Sequence, residues 1–336
     1  MITTFYLLLF HLNIIPYTLL YSVFPICLLH QRLFVYIRAI FFKYSYQLTL
    51  QHTKHMIISF LNTLFPGQSS IMLGNFLLGI LIAAVVAILS FRVKFLTKSG
   101  SIATFILAGF IFGLGGIKWS VPIMTFFILS SILSKLRKKK NEEVEKYFEK
   151  SGVRDHLQVI ANGGLGGVLV IINTFYPDPL FYLIYISTLS AVCADTWATE
   201  IGTWKKAATY NVINWKPVEQ GVSGGISLRG TIGAALGSLA IALSGILWIN
   251  QNIELYILLV ICAGLFGSIF DSILGATIQA QNKCVVCNKV TEKNIHCGVE
   301  SNHYVGYKWI NNDVVNFFSG LAGAVIIIIL KSLIES

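Results

Sequence analysis

Asp195, Glu200, Asp271, Asp313 and Asn162 stand within or at the ends of long apolar runs, where a charged or amide side chain is costly unless something compensates it. Asp195 and Glu200 occur in Ala194-Asp195-Thr196-Trp197-Ala198-Thr199-Glu200, Asp271 in Ile269-Phe270-Asp271-Ser272, and Asp313 in Asn311-Asn312-Asp313-Val314. Asp195 and Asp271 fall late in their runs. Each carboxylate there opposes the negative end of a helix dipole and calls for a cation or a basic partner. Asp313 opens its run, where capping the helix is as natural a role as holding a ligand. Carboxylates converging at a membrane face suit a divalent cation, Mg2+ above all, because that ion takes a few carboxylates together with phosphate oxygens. Asp195, Glu200, Asp271 and Asp313 are the candidate metal set. Asn162, with Gly163, Gly164, Gly166 and Gly167 behind it, lies at the same level of its own run.

The segment 199–229 offers a complement to these acids. It contains Asn214-Trp215-Lys216-Pro217 and then Gly221-Val222-Ser223-Gly224-Gly225-Ile226-Ser227-Leu228-Arg229-Gly230. A glycine- and serine-rich run entering a helix presents backbone N–H groups to an anion, and the helix dipole adds to the attraction. Lys216 and Arg229 are then candidates to neutralise phosphate charge. The run is not a Walker A sequence, and read alone it is a flexible connector. Its place beside the acidic residues favours the phosphate cradle.

A third constellation lies in Cys284-Val285-Val286-Cys287, His296-Cys297 and His303. Three thiolates and an imidazole, from Cys284, Cys287, Cys297 and His303, would make a tetrahedral zinc site. With every ligand on one loop its role would be structural. A redox pair and unliganded loop thiols are the alternatives.

These residues need elements to hold them, and the composition says what kind. Of 336 residues, 55% are hydrophobic and only 12% charged, with a mean hydropathy of +0.72. A water-facing domain carries about twice that charged share, so this surface faces lipid. The net charge of +10 is spread between apolar runs and forms no continuous stripe, which excludes nucleic acid as a partner and points to topological bias.

Apolar runs long enough to span occur at 71–91, 102–116, 119–134, 158–175, 180–198, 230–249, 254–275 and 314–330. The second and third, separated by Gly113, Gly115, Gly116 and Lys118, read as a tight helical hairpin. Eight crossings put Arg92 to Lys98, Lys135 to Arg154, Lys205 to Arg229 and Lys283 to Lys308 on one side, in cytoplasmic loops 135–157, 199–229 and 276–312. The opposite loops offer Lys118, with Lys331 at the C-terminal end, so the first side is cytoplasmic by the positive-inside rule. Lys135 to Lys140 reads as the strongest anchor of that kind, and the mixed charges of 142–150 as an exposed cytoplasmic helix.

The predicted fold is thus an all-α polytopic membrane protein of about eight core helices over 71–331. Residues 1–70 form a hydrophobic extension, read either as one or two further helices or as an upstream extension of the gene model, with synthesis starting at Met56 or Met72.

Five segments recur together in a fixed order: Arg154…Gln158…Asn162-Gly163-Gly164, Ala194 to Gly202, Trp215-Lys216-Pro217 with Gly221 to Gly230, Asp271-Ser272-Ile273-Leu274-Gly275-Ala276 with Gln279, and Asn312-Asp313-Val314-Val315-Asn316. In these the chain resembles the transmembrane protein 19 family, also filed as domain of unknown function ninety-two, over roughly residues 73 to 330. Plant members of that family are phytyl-phosphate kinases of tocopherol synthesis. The family is also distantly similar to nucleotide-dependent polyprenol kinases.

The resemblance implies phosphoryl transfer from CTP or ATP, with Mg2+, to an isoprenoid monophosphate held among the helices. Asp195 and Asp271, with Glu200 or Asp313, would hold the metal. Asn162, Lys216 and Arg229 would join the catalytic set, and Ser223, Gly224, Gly225 and Arg154 would face the nucleotide. Membrane lipid and the isoprenoid phosphate are the implied partners. The main rival reading is a transporter or flippase of a small anion or lipid phosphate, using the in-membrane carboxylates for protons or a coupling ion. A non-catalytic scaffold would explain the spans but not the clustered Asp, Asn and Gly.

Overall fold

A bilayer leaves the backbone no hydrogen-bond partner but itself, so long apolar runs fold as helices. The structure, a computed structural model, describes residues 69–141, 148, 152–249 and 252–335. The chain divides into two compact units, Met1–Leu73 and Gly74–Ser336, and the second carries the helical bundle. The helices expected before residue 70 lie outside the described residues, and so does most of the helix expected over 142–150.

Seven helices are present among the described residues: α1 (Ser69–Arg92), α2 (Lys98–Lys140), α3 (His156–Phe175), α4 (Pro179–Gly202), α5 (Leu228–Gly245), α6 (Ile253–Thr277) and α7 (Asn312–Glu335). All seven are long and apolar enough to cross a membrane. The chain is an all-α, multi-pass integral membrane protein.

α2 holds the two runs expected to form a hairpin. A straight helix of 43 residues would be ~65 Å long, twice the ~30 Å hydrocarbon core. Gly116 breaks it, with φ 60° and ψ −162°, a conformation open to glycine alone. The chain doubles back there. Leu107 from before the break and Ile123 from after it both lie against Gly163, and Lys135 near the end sits over the ring of Phe95, just before the start. The seven helices therefore make eight crossings.

α4 is the central helix and packs against α2, α3, α5, α6 and α7. Small residues let its neighbours approach. A Cβ on Gly233 of α5 would lie 2.5 Å from the Trp197 carbonyl oxygen, and one on Gly237 2.8 Å from that of Cys193. Lipid tails give no hydrophobic drive to helix association, so close packing of this kind is what holds a bundle together.

One end of the bundle is closed by aromatic rings. Trp119, Tyr182, Tyr185 and Tyr256 are buried, Trp119 and Tyr185 have ring centroids 4.7 Å apart, and the Tyr185 hydroxyl donates to the Trp119 carbonyl oxygen at 2.5 Å. The opposite end carries the long connections. These fold into short antiparallel pairs: β1 (Tyr210–Asn211) with β2 (Gly225–Ile226), a three-stranded sheet of β4 (Val290–Thr291), β3 (Gln281–Lys283) and β7 (Asn302–Val305), and a hairpin of β5 (Ile295–His296) and β6 (Val299–Glu300). That decorated end holds the site.

Candidate functional site

A cavity of about 310 Å3 opens at this end, between the cytoplasm-expected loops and the ends of α3, α4, α5, α6 and α7. Asp195 reaches it from the last turns of α4 and Asp271 from the last turns of α6. A hydrogen bond joins the two carboxyls, the arrangement in which two acids share a proton or a cation. Asp271 is buried and its Oδ2 has no hydrogen-bond partner among the described residues; the buried atoms Asn162 Oδ1 and Gln158 Oε1, from the first turns of α3, have none there either. All three residues line the cavity.

Glu200 lines the cavity too, but its oxygens are already engaged. Oε1 accepts from the Ser134 hydroxyl at 2.5 Å and Oε2 from Arg137 Nε at 2.6 Å, with both partners buried. Arg137 belongs to the basic run read as a membrane anchor. The helix continues through that run to Lys140, and this one residue turns inward to the acid instead of outward to lipid headgroups. Arg154 is the second buried cation of the cavity wall. It donates to Ser131 Oγ at 2.5 Å and lies over the rings of Phe126 and Phe127. Burial lowers its pKa, and the charge of Glu200 acts against that shift.

Ser223, Gly224 and Gly225 form the roof. Gly224 has φ +80°, and a Cβ there would run into Ala276 at the end of α6, so the loop is pressed onto the helix that carries Asp271. Ser223 donates to Glu292 Oε1 at 2.7 Å, and Gln279 Nε2 donates to the same oxygen at 2.8 Å. Glu292 thereby enters the cavity wall from the far loop. The start of α5 is capped by Ser227, whose hydroxyl takes the Gly230 N–H at 3.1 Å, and Gly225 N–H is taken by the Val222 carbonyl. Part of the expected N–H cradle is thus committed within the loop.

Four expectations are corrected by these contacts. Lys216 is exposed in a turn that its backbone shares with Asn211 and Asn214, and it does not line the cavity. Arg229 faces outward to the Lys206 carbonyl oxygen at 3.4 Å and does not line it either. Lys216 stands in the exposed turn beyond β1, and Arg229 on the exposed side of the first turn of α5. The cap of α7 is Asn311, whose Oδ1 accepts the Val314 N–H at 3.2 Å. Asp313 lies inside the first turn, buried, on the cavity wall.

The fourth correction concerns the cysteine loop. Ligand atoms of Cys284, Cys287, His296 and Cys297 all lie within 4.8 Å of one another. His303 sits elsewhere, with Nε2 3.0 Å from the Gly306 carbonyl oxygen, because β7 carries it along the three-stranded sheet. The backbone of Cys287 hydrogen-bonds Cys284 and brings its thiol down to about 6.

Sequence reasoning missed Arg137, Gln158, Ser134 and Glu292. Gln158 stood in the Arg154…Asn162 motif and was open to view. Arg137 was masked by its lysine neighbours, and Glu292 by the ordinary look of a charged loop.

Hard oxygen donors with open lone pairs fit Mg2+. Asp195 and Asp271, with Asn162 and Asp313 on the same wall, are the residues such an ion would meet.

Eight crossings, a wall of rings at one end and an acidic cavity at the other define a multi-pass membrane protein with a one-sided polar site. The family is shown directly: residues 81–324 match the model for integral membrane protein DUF92, and the chain belongs to that family. It is 31% identical over 264 residues to Protein PGR of Arabidopsis thaliana, covering 71% of this chain and 90% of that one. It is 28% identical over 205 residues to an uncharacterized membrane protein of Methanocaldococcus jannaschii, covering 60% and 82%. It is 24% identical over 244 residues to Protein VTE6, chloroplastic, of Arabidopsis thaliana, covering 71% and 66%. No solved structure matches the chain.

Proposed function

We propose that the protein is a membrane-embedded phosphotransferase that passes the terminal phosphoryl group of CTP or ATP to an isoprenoid monophosphate of the phytyl type. The carrying observation is the joined Asp195–Asp271 pair with the partnerless Asp271 Oδ2 and Asn162 Oδ1, buried at the head of a membrane bundle. Family membership and the 24% likeness to Protein VTE6 support the same reading. The basic loops favour the cytoplasmic side for the cavity, where nucleotides are.

In this transfer an oxygen of the acceptor monophosphate attacks the terminal phosphorus of the donor. The bond from that phosphorus to the bridging oxygen breaks, and the nucleoside diphosphate leaves. The acceptor oxygen is already ionised, so no side chain need remove a proton. Mg2+ at the acid pair would supply charge neutralisation along the donor phosphates. Arg154 and the N–H groups of Gly221, Ser223 and Gly224 offset the remaining negative charge. Arg137 is held by Glu200 and sets the shape of the wall. Ile269 lines the cavity and is half exposed, which offers the isoprenoid chain an apolar contact at the head of the site.

The test is a transfer assay on protein purified in detergent, with Mg2+, labelled CTP or ATP, and phytyl, geranylgeranyl and farnesyl monophosphates. Labelled diphosphate is expected, and a loss of at least ~100-fold in Asp271→Asn. No product from folded protein with any donor and acceptor would overturn the reading and turn attention to flux in liposomes.

A further inference from the structure

Two backbone turns in the loop between α6 and α7 bring sulfur and nitrogen to one point. The first is Cys284-Val285-Val286-Cys287. It closes with the Cys284 N–H donating to the Lys289 carbonyl, the Asn288 N–H donating to the Cys284 carbonyl, and Asn288 at φ 58°. The Val286 N–H points at Cys284 Sγ at 3.4 Å. The second is the β5–β6 hairpin, whose two turn residues are Cys297 and Gly298, at φ 53° and 78°.

A two-residue turn with both residues at positive φ is the place for Asn-Gly. A cysteine there is held in the left-handed region, and strain of this kind persists where the surroundings demand it. What the turn gains is direction. Cys297 Sγ stands 3.2 Å from His296 Nδ1, and Cys287 Sγ stands 3.5 Å from the same nitrogen. In a tetrahedral zinc site with bonds of ~2.3 Å to sulfur and ~2.0 Å to nitrogen, a sulfur and a nitrogen ligand are ~3.5 Å apart. The spacing is already that of the occupied site. Cys284 and His296 are buried, while Cys287 and Cys297 close the outer side.

We propose that Cys284, Cys287 and Cys297 as thiolates, with neutral His296 through Nδ1, bind one Zn2+, and that this ion fixes the loop that delivers Glu292 to the cavity. Binding releases the thiol protons and leaves the second His296 nitrogen protonated. Glu292 lies between the two ligand pairs in sequence. Asn282 of β3 braces the same stretch, with its Nδ2 3.4 Å from the Glu292 carbonyl, 3.3 Å from that of Lys293 and 3.2 Å from Asn294 Oδ1. Both anchors of the stretch therefore rest on β3 and on the metal, while its tip meets Ser223 and Gln279. The ion is structural, and all its ligands come from one loop.

The full-length protein, purified in detergent with reductant and without chelator, would be assayed for zinc, and for Co2+ after zinc removal. The expected result is about one zinc per chain, and a cobalt spectrum with the intense thiolate bands of a tetrahedral site. Zinc content falls at least ~10-fold in Cys287→Ser and His296→Ala and stays at the parent value in His303→Ala. Chelation exposes the segment around Glu292 to protease, and added Zn2+ restores protection. Should the parent hold less than a tenth of an equivalent and also fail to bind added Co2+, the site does not exist. Equal loss in His303→Ala and His296→Ala would overturn the ligand assignment. The Co2+ titration of the parent decides the matter even where a variant fails to fold.

Discussion

Glu200 and Asp271 carry the same charge on the same cavity wall and answer to different partners. Glu200 is closed by Ser134 and Arg137, whereas Asp271 keeps one buried oxygen without a hydrogen bond. Glu200→Ala would break the buried ion pair with Arg137 and the hydrogen bond from Ser134, and breaking a buried pair costs ~3–5 kcal/mol. Thermal unfolding in detergent should show it as a clearly lowered transition. Asp271→Asn keeps shape and removes a buried charge, so stability should hold or rise while transfer is lost. Equal destabilisation by the two changes would mean that Asp271 is also a framework residue. Both acids were legible in the sequence because an apolar run makes any carboxylate conspicuous. Arg137 was not legible, since a basic residue among lysines at a helix end carries no sign of which way it turns.

At the level of elements, the bundle depends on how closely α5 and α6 can approach α4. Gly237→Leu forces side-chain atoms into the space of the Cys193 carbonyl, and overpacking of this kind costs ~1–3 kcal/mol or more. Gly74→Leu is the matched control, because a Cβ at Gly74 meets nothing within 4 Å among the described residues. Unfolding temperature or monodispersity in detergent should fall for the first and not the second. Gly224→Ala adds a strained φ to a collision with Ala276, and is expected to lower turnover in the transfer assay far more than it lowers stability. The spans and the hairpin at Gly116 could be read from apolar length and a glycine cluster. The strand pairs in the loops could not, because strands of two to four residues show no alternation and are set by turns such as that at Cys297-Gly298. The same turns decide that His296, and not His303, joins the cysteines.

At the scale of the whole molecule, the eight crossings among the described residues fix which surfaces share a side. Cysteines introduced at Trp215 and Lys308 should react with an impermeant maleimide from one side of sealed vesicles, and cysteines at Tyr176 and Leu247 from the other, each above the labelling of the parent. Trp215 and Tyr176 labelling from the same side would refute the crossing by α4, whereas cysteines at Lys98 and Lys140 labelling from opposite sides would refute the hairpin at Gly116. The rings of Trp119, Tyr182, Tyr185 and Tyr256 give this sidedness a further meaning. None of them lines the cavity, and all four are buried in the bundle. Under the proposed chemistry, a lipid drawn from one leaflet returns to that leaflet as product, and molecules in the other leaflet are beyond reach. In vesicles with acceptor on both sides and nucleotide outside, turnover by outward-facing protein would stall once the outer supply is consumed and resume when a scramblase is added. A cell relying on this reaction would find its rate governed by lipid traffic between leaflets as much as by the enzyme.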